Sequence, residues 1–273
     1  ALEIISQDDS SGDEILEIPA DFPPDRMNVS GDGWTVGSAV SRVELERFEG
    51  RNVIVTISRD NALDWIGDFG RYHRRVQGAE AILFIDNGST RYDITAIADV
   101  LKDAGLHGLV VPAPFPFGPT LRGTKRPHVA KFLKVAMLNL ARLRFLRTAR
   151  AVLNVDIDEL VWSDGPSVFD MASQSLVGFA PFYGQWRFPP PGATLPLRHR
   201  AHVWQAEDSV RCPVKYAVAP GRLAGRMGWD VHRIVGVPFK KLLVRKDAGY
   251  WHCAGISTGW KYRDRLHLSL IHI

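Results

Sequence analysis

Residues 151–162 read AVLNVDIDELVW, a short apolar run from Ala151 to Val155 that passes straight into Asp156-Ile157-Asp158-Glu159. A short, mostly apolar run free of Gly and Pro is the pattern of a buried strand. In an extended segment residues two apart point the same way, so Asp156 and Asp158 are expected to face one spot, with Glu159 turned off it. Two carboxylates on one face suit a hard divalent cation, which takes carboxylate, water and phosphate oxygens. A cation held there would neutralise a diphosphate leaving group. A bare D-x-D is also the pattern of a solvated acidic turn. Its place at the end of a buried strand, fourth in a series, favours a metal or nucleotide role.

Upstream, NVIVTIS (52–58), AILFID (81–86) and GLVV (108–111) read as the three preceding strands. Between them, Asn61 with Asp64 three residues on is expected to open a helix carrying Leu63, Ile66, Phe69, Tyr72, His73 and Val76. A second helix carries Ile94, Ile97, Val100, Leu101 and Ala104 and stops at Gly105, and a long one is expected from about His128 to Arg147. Strands alternating with helices predict an α/β fold, a mostly parallel sheet with helices on both faces. Such sheets bind ligands at the carboxyl ends of their strands. Three clusters should therefore share one rim: Ser58-Arg59-Asp60-Asn61, Asp86-Asn87-Gly88-Ser89 and Asp156-Ile157-Asp158-Glu159. Asp-Asn-Gly forms turns by default, but an Asp at a strand end also accepts hydrogen bonds from a nucleobase or ribose.

The 273 residues are 45% hydrophobic and 23% charged, which excludes wholesale disorder. No apolar run approaches the roughly 18 residues of a membrane helix. Two cysteines exclude a disulfide framework and a cysteine-only zinc site. These features fit a soluble, cytoplasmic domain. Residues 1–30 hold eight acidic groups against Arg26 alone, leaving the rest with 33 basic against 22 acidic groups. The basic body favours an anionic ligand, either nucleic acid or a nucleotide diphosphate. Residues 122–150 carry nine Lys or Arg and no acid, though Lys131, Lys134, Arg142 and Arg144 cannot all share one helical face.

Residues 1–50 read as an acidic leader and appendage, with alternation at Trp34, Val36, Val43 and Leu45 suggesting one or two strands. Residues 51–267 form the expected catalytic domain. Residues 268–273, LSLIHI, translate CTG TCT CTT ATA CAC ATC, the start of a transposase sequencing adapter. They are expected to be an adapter-derived tail on a truncated metagenomic fragment, the other reading being an apolar end strand. His272 is given no role.

Together, TISRDNALDWIGDFGRYHRRVQGAEAILFIDNGST (56–90), FLKVAMLNLARLRFL (132–146) and AVLNVDIDELVW (151–162) resemble the glycosyltransferases of the GT-A fold. The likeness is to the branch of families 2 and 92, which includes bacterial capsule and surface-polysaccharide enzymes. It covers 52–165 well and continues more weakly through 212–220, 229–234 and 251–265. It implies a nucleotide-sugar donor, a UDP-sugar foremost, a glycan acceptor, and Mn2+ or Mg2+. It places Arg59, Asn61, Asp86 and Asn87 near the base or ribose, Asp156 and Asp158 at ribose and metal, Lys215 at phosphate and His252 near the metal or diphosphate. Leu160 stands where the family has Phe. Peripheral membrane association is compatible with such an enzyme; nucleic acid is not an expected partner.

If the reaction inverts the anomeric centre, an acceptor base is needed. Asp230 is the first candidate, with Glu207, Asp208 and His232 behind it; Asp230 and His232 would share a face in extended chain. Phe182, Tyr183, Trp186 and Trp204 are candidates for an acceptor platform, or core. His199 and His202 read as structural. The alternatives each lack a feature. A sugar-nucleotide nucleotidyltransferase would carry a Gly-rich loop after the first strand, and an aspartyl phosphatase a hydroxyl at Leu160. A nucleic-acid binder would need aromatics among its basic residues. A catalytically inactive sugar-binding homologue is separated only by assay.

Overall fold

The computed structural model describes residues 6–8, 15–17, 23–118, 132–194, 196–206, 211–256 and 270–272. Eight strands make the central sheet: β1 (Asn52–Ser58), β2 (Ala81–Asp86), β3 (His107–Pro112), β4 (Ala151–Asn154), β5 (Glu159–Ser163), β6 (Phe179–Arg187), β7 (Cys212–Val218) and β8 (Arg245–Cys253). Their order is β3-β2-β1-β4-β7-β6-β8-β5. β1 to β4 pair in parallel and β6 pairs in parallel with β8, while β7 and β5 run against their neighbours. Six of the eight strands thus point one way, and the sheet is the mostly parallel α/β sheet expected.

Helices cover both faces. Alternate residues of one strand serve opposite sides: Ile54 packs with α1 (Leu63–Gln77) and α2 (Ile94–Asp103), Val53 and Val55 with α3 (Phe132–Ala141). A fourth helix, α4 (Val168–Gln174), joins the α1 side through Phe169 and Met171. Two helix boundaries differ from expectation. Asn61 is not the N-cap of α1; Ala62 holds that position without a side-chain bond, because Asn61 is buried and donates to Ser58 Oγ at 2.8 Å. The long third helix is described only from Phe132, and after Ala141 it passes into a π-helical turn, Arg142–Leu146. Lys131 lies outside the described residues.

The N-terminal alternation forms an exposed hairpin, Arg26–Gly31 with Trp34–Ala39, whereas Leu45–Phe48 is a 3₁₀ turn. Residues Leu270–His272 of the terminal hexapeptide pair antiparallel with Trp204–Ala206. Among the described residues, no helix is long and apolar enough to cross a membrane.

One connection positions the site. β4 and β5 are joined by residues 155–158 alone, yet β7, β6 and β8 lie between them in the sheet. Four strand spacings would be about 19 Å across a flat sheet, whereas the link reaches about 17 Å when fully extended. It is in fact turned at Ile157 and Asp158. The sheet must therefore curl, and the link crosses over the ends of the intervening strands.

Candidate functional site

The crossing link is the acidic segment itself. Because the segment turns at Ile157 and Asp158, the alternation that would aim Asp156 and Asp158 at one spot does not apply. Each acid instead meets a strand that it passes. Asp156 meets Lys215 of β7, its Oδ2 accepting from Nζ at 3.1 Å, and its Oδ1 accepts from Lys134 of α3. Asp158 meets β8: its carbonyl accepts from Cys253 N at 2.8 Å, and its Oδ2 lies 3.2 Å from His252 Nε2.

Glu159, expected to turn away, faces inward. Its Oε2 accepts from Asp156 N at 2.8 Å and lies 3.0 Å from Lys215 Nζ. A carboxylate three residues on that reaches back to a backbone N–H is the arrangement of a capping box. The D-x-x-E spacing was the signal for it. Burial raises the Glu159 pKa despite the nearby Lys215. Burial would lower that of Lys215, but the facing Asp156 and Glu159 raise it above the ordinary lysine value.

The implied role of Lys215 needs correcting. Its side chain is 1% exposed and closed between two carboxylates, so it is an interior counter-ion rather than a group reaching out to phosphate. Lys134, one of several basic residues in its stretch, is likewise buried.

His252 lies beside Asp158, ninety-four residues away in sequence, and its Nδ1 is 3.9 Å from Glu159 Oε1. Trp186 of β6 stacks on its ring at 4.0 Å and 21°, fixing the imidazole plane. Burial alone would lower the His252 pKa, but the Asp158 carboxylate and its hydrogen bond lift it to about 10. Asp158, Glu159 and His252 each offer a ligand atom, all within 4.8 Å of one another. One divalent cation would take these three side chains as ligands. An imidazole with two carboxylates suits Mn2+ better than Ca2+. The chain thus fits a metal through Glu159, with Asp156 committed to the lysines.

The ends of β1 and β2 are laced together. Asp86 is buried and accepts from Ser89 N at 3.0 Å and Ser89 Oγ at 2.5 Å, closing the D-N-G-S turn. Asn87 Nδ2 donates to the carbonyls of Ala113 and Phe115 at 2.7 and 2.8 Å. Asp60 bridges the two loops, accepting from Thr90 N at 2.7 Å and donating its own N–H to Ser89 Oγ at 2.8 Å. This non-glycine residue has φ +53°, a strained conformation that those bonds hold in place. Arg59 is exposed beside Asp60, 3.9 Å from its carboxylate.

Asp230 and His232 do not sit on an extended segment. Trp229–Asp230 and Arg233–Ile234 pair antiparallel, so Val231 and His232 are the turn between them. Asp230 closes on Arg233 at 2.8 Å and on Val231 N. His232 Nδ1 donates to Val214 O at 3.0 Å, and burial with the neighbouring Lys215 depresses its pKa to about 3. Glu207 and Asp208 lie outside the described residues. Of the aromatic platform candidates, Phe182 is core; Tyr183 is exposed, and Trp186 and Trp204 are half-buried.

His199 and His202 serve the site indirectly. His199 Nε2 donates to Ile157 O at 2.8 Å, inside the acidic turn, and His202 Nε2 to Ala254 O at 2.8 Å, just past His252. Arg198 beside them donates both Nε and Nη2 to Asp68 of α1, at 2.6 and 2.5 Å. Segment 198–202 straps together α1, the turn and the end of β8.

No protein-family model matches the sequence, and no curated protein matches it. Among solved structures, the galactosyltransferase LgtC in complex with donor and acceptor sugar analogues is 18% identical over 48% of this chain and 46% of that one, with a TM-score of 0.32. The bifunctional glycosyltransferase WbbM is 14% identical over 50% and 23%, with a TM-score of 0.30. S. aureus TarS is 11% identical over 54% and 23%, at 0.29. The chain therefore spans about half or less of the length of these structures.

Proposed function

We propose that the chain is a glycosyltransferase of the GT-A type, moving a sugar from a nucleotide-diphosphate donor to a hydroxyl acceptor. The observation that carries this reading is the crossing turn. On one rim it brings a three-ligand group, Asp158, Glu159 and His252, beside Asp156 set between two lysines. Asp86, with Asn87, Asn61 and Arg59 around it, ends β2 and β1 on the same rim and serves the base and ribose. Residues 51–267 make up the catalytic domain, a UDP-sugar is the donor and a bacterial surface glycan the acceptor.

Mn2+ or Mg2+ at Asp158, Glu159 and His252 would supply neutralisation of charge on the departing diphosphate. The residues do the rest. Lys134 and Lys215 fix the Asp156 carboxylate, which accepts from a ribose hydroxyl. Trp186 holds the His252 ring in its plane. His232 is too weak a base to take an acceptor proton at neutral pH. Asp230, paired with Arg233, is the other candidate for that base.

The test uses the full chain with a panel of nucleotide-sugars and acceptors, following nucleoside diphosphate release with and without Mn2+. Asp158→Asn should cut metal-dependent release by about a hundredfold or more, with an unchanged far-UV spectrum. Equal release by the variant sinks the assignment. Pyrophosphate formed from a nucleoside triphosphate and a sugar phosphate would favour the nucleotidyltransferase instead.

A further inference from the structure

The rim opposite the site is built from three loops: 175–178 leading into β6, 219–228 leaving β7, and 235–244 leading into β8. β6 and β8 run with β4, so they begin at the end away from Asp156, and the reversed β7 finishes there. Each loop holds out an apolar side chain. Leu176 is 93% exposed, Leu223 57%, Phe239 80% and Leu242 83%. The first two loops adjoin, Ala224 N donating to Val177 O at 2.9 Å, and within the third Leu242 N donates to Phe239 O at 2.9 Å. Ser175 and Leu242 also line one cleft of about 450 Å³ with Phe179, Arg245 and Lys246.

Phe239 combines two costs. It is a bulky apolar residue in water, and its φ of +48° is left-handed, a conformation glycine adopts freely and an aromatic residue does not. Folding alone gives no reason for a Phe at that apex. The surroundings are basic. From Val231 to Lys246 the chain has Arg233, Lys240, Lys241, Arg245 and Lys246 and no acid. Arg233 and Arg245 pair with Asp230 and Asp247, whereas Lys240, Lys241 and Lys246 form no ion pair among the described residues. Arg222 and Arg226 are exposed on the adjacent loop.

Side chains this exposed stand proud of their loops, and single projecting apolar groups ringed by lysines match an anionic lipid surface, which takes apolar tips between headgroups and attracts cations. We infer that this rim docks on an anionic membrane surface, with Phe239 and Leu242 entering the headgroup region, Leu176 beside them, and the lysines facing lipid phosphates. The inference rests on the exposed loops alone, not on the proposed transferase activity. Docking this way turns the strand ends with Asp86, Asp156 and His252 away from the bilayer, toward the aqueous side.

The experiment is flotation of the full chain with vesicles of phosphatidylcholine alone or mixed with phosphatidylglycerol. Binding should appear only on the mixed vesicles and fall as salt is raised. Lys241→Gln and Lys246→Gln should each weaken it about fivefold, and Phe239→Ser or Leu242→Ser by about tenfold or more. Phe239→Gly separates docking from folding: it relieves the left-handed backbone, so its unfolding midpoint should hold or rise while vesicle binding is lost. Three results would overturn the inference: no preference for anionic vesicles, wild-type binding by Phe239→Gly, or a concentration-dependent dimer in light scattering that Phe239→Ser and Leu242→Ser abolish. The last would reassign the rim to self-association.

Discussion

At the scale of single residues, buried charge decides most of what the site residues do. Lys215 is enclosed with Asp156 and Glu159 on either side of its amine. Removing one partner of a buried ion cluster leaves the others uncompensated, at a cost of about 3–5 kcal/mol. Lys215→Met should therefore lower unfolding free energy by that order in urea titrations, and adding Glu159→Gln should recover part of it. A loss below about 1 kcal/mol would mean that water already screens the cluster. His73 provides a pH test. Its Nδ1 donates to Phe69 O at 2.9 Å and its Nε2 accepts from Val161 N at 3.2 Å, so only the neutral ring satisfies both. Burial lowers its pKa from 6.5 to about 4, with the nearby His199 acting the same way. The folded chain resists a proton that the unfolded chain takes up, so its contribution is complete above pH 6.5 and is lost as pH falls toward 4. The loss is about 3 kcal/mol at most. His73→Gln should flatten the stability–pH curve in that window, and an unchanged slope would contradict the assignment.

At the scale of elements, β5 is held less by its own sequence than by what grips it. α1 clamps it with His73 on Val161 N and Gln77 on Val161 O, four residues apart on one helical face. The strap at 198–202 grips the turn before it through Ile157 O. His199→Ala frees that carbonyl, at a cost of about 1–2 kcal/mol. Hydrogen exchange should then quicken at the amides of Asp156 and Glu159 while amides of β1 and β2 keep their protection. Uniform change across the sheet would make His199 a general packing residue instead. The βα units were legible here because each is local: NVIVTIS, AILFID and the helix between them announce themselves by periods of two and 3.6. The strap was not, since a histidine looks the same in sequence whether it donates to a distant carbonyl or to water. Asn61 does not cap α1 because its side chain is taken by the local bond to Ser58 and its carbonyl is held by the distant Tyr92.

At the scale of the molecule, a cation at Asp158, Glu159 and His252 would join the turn to β8 and reinforce the pairing of β8 with the edge strand β5, where His252 stands opposite Glu159. A ligand that binds only the folded state raises its stability by mass action. Mn2+ at a hundred times its dissociation constant should therefore add about 2.7 kcal/mol and raise the unfolding midpoint, and both Asp158→Asn and His252→Ala should erase the shift. A shift of the same size in the variants would place the metal elsewhere.

The sequence by itself determined the parallel half of the sheet and the rim on which polar strand ends gather. Those are consequences of local periodicity and of where a buried strand stops. Which acid faces which partner was decided only by the tertiary structure. Segment 156–159 crosses β7, β6 and β8 as a turn, so Asp156 went to Lys134 and Lys215, Asp158 to His252, and Glu159 inward. A spacing rule assumes the local conformation continues, and here the curl of the sheet bends the chain at the residues whose direction matters.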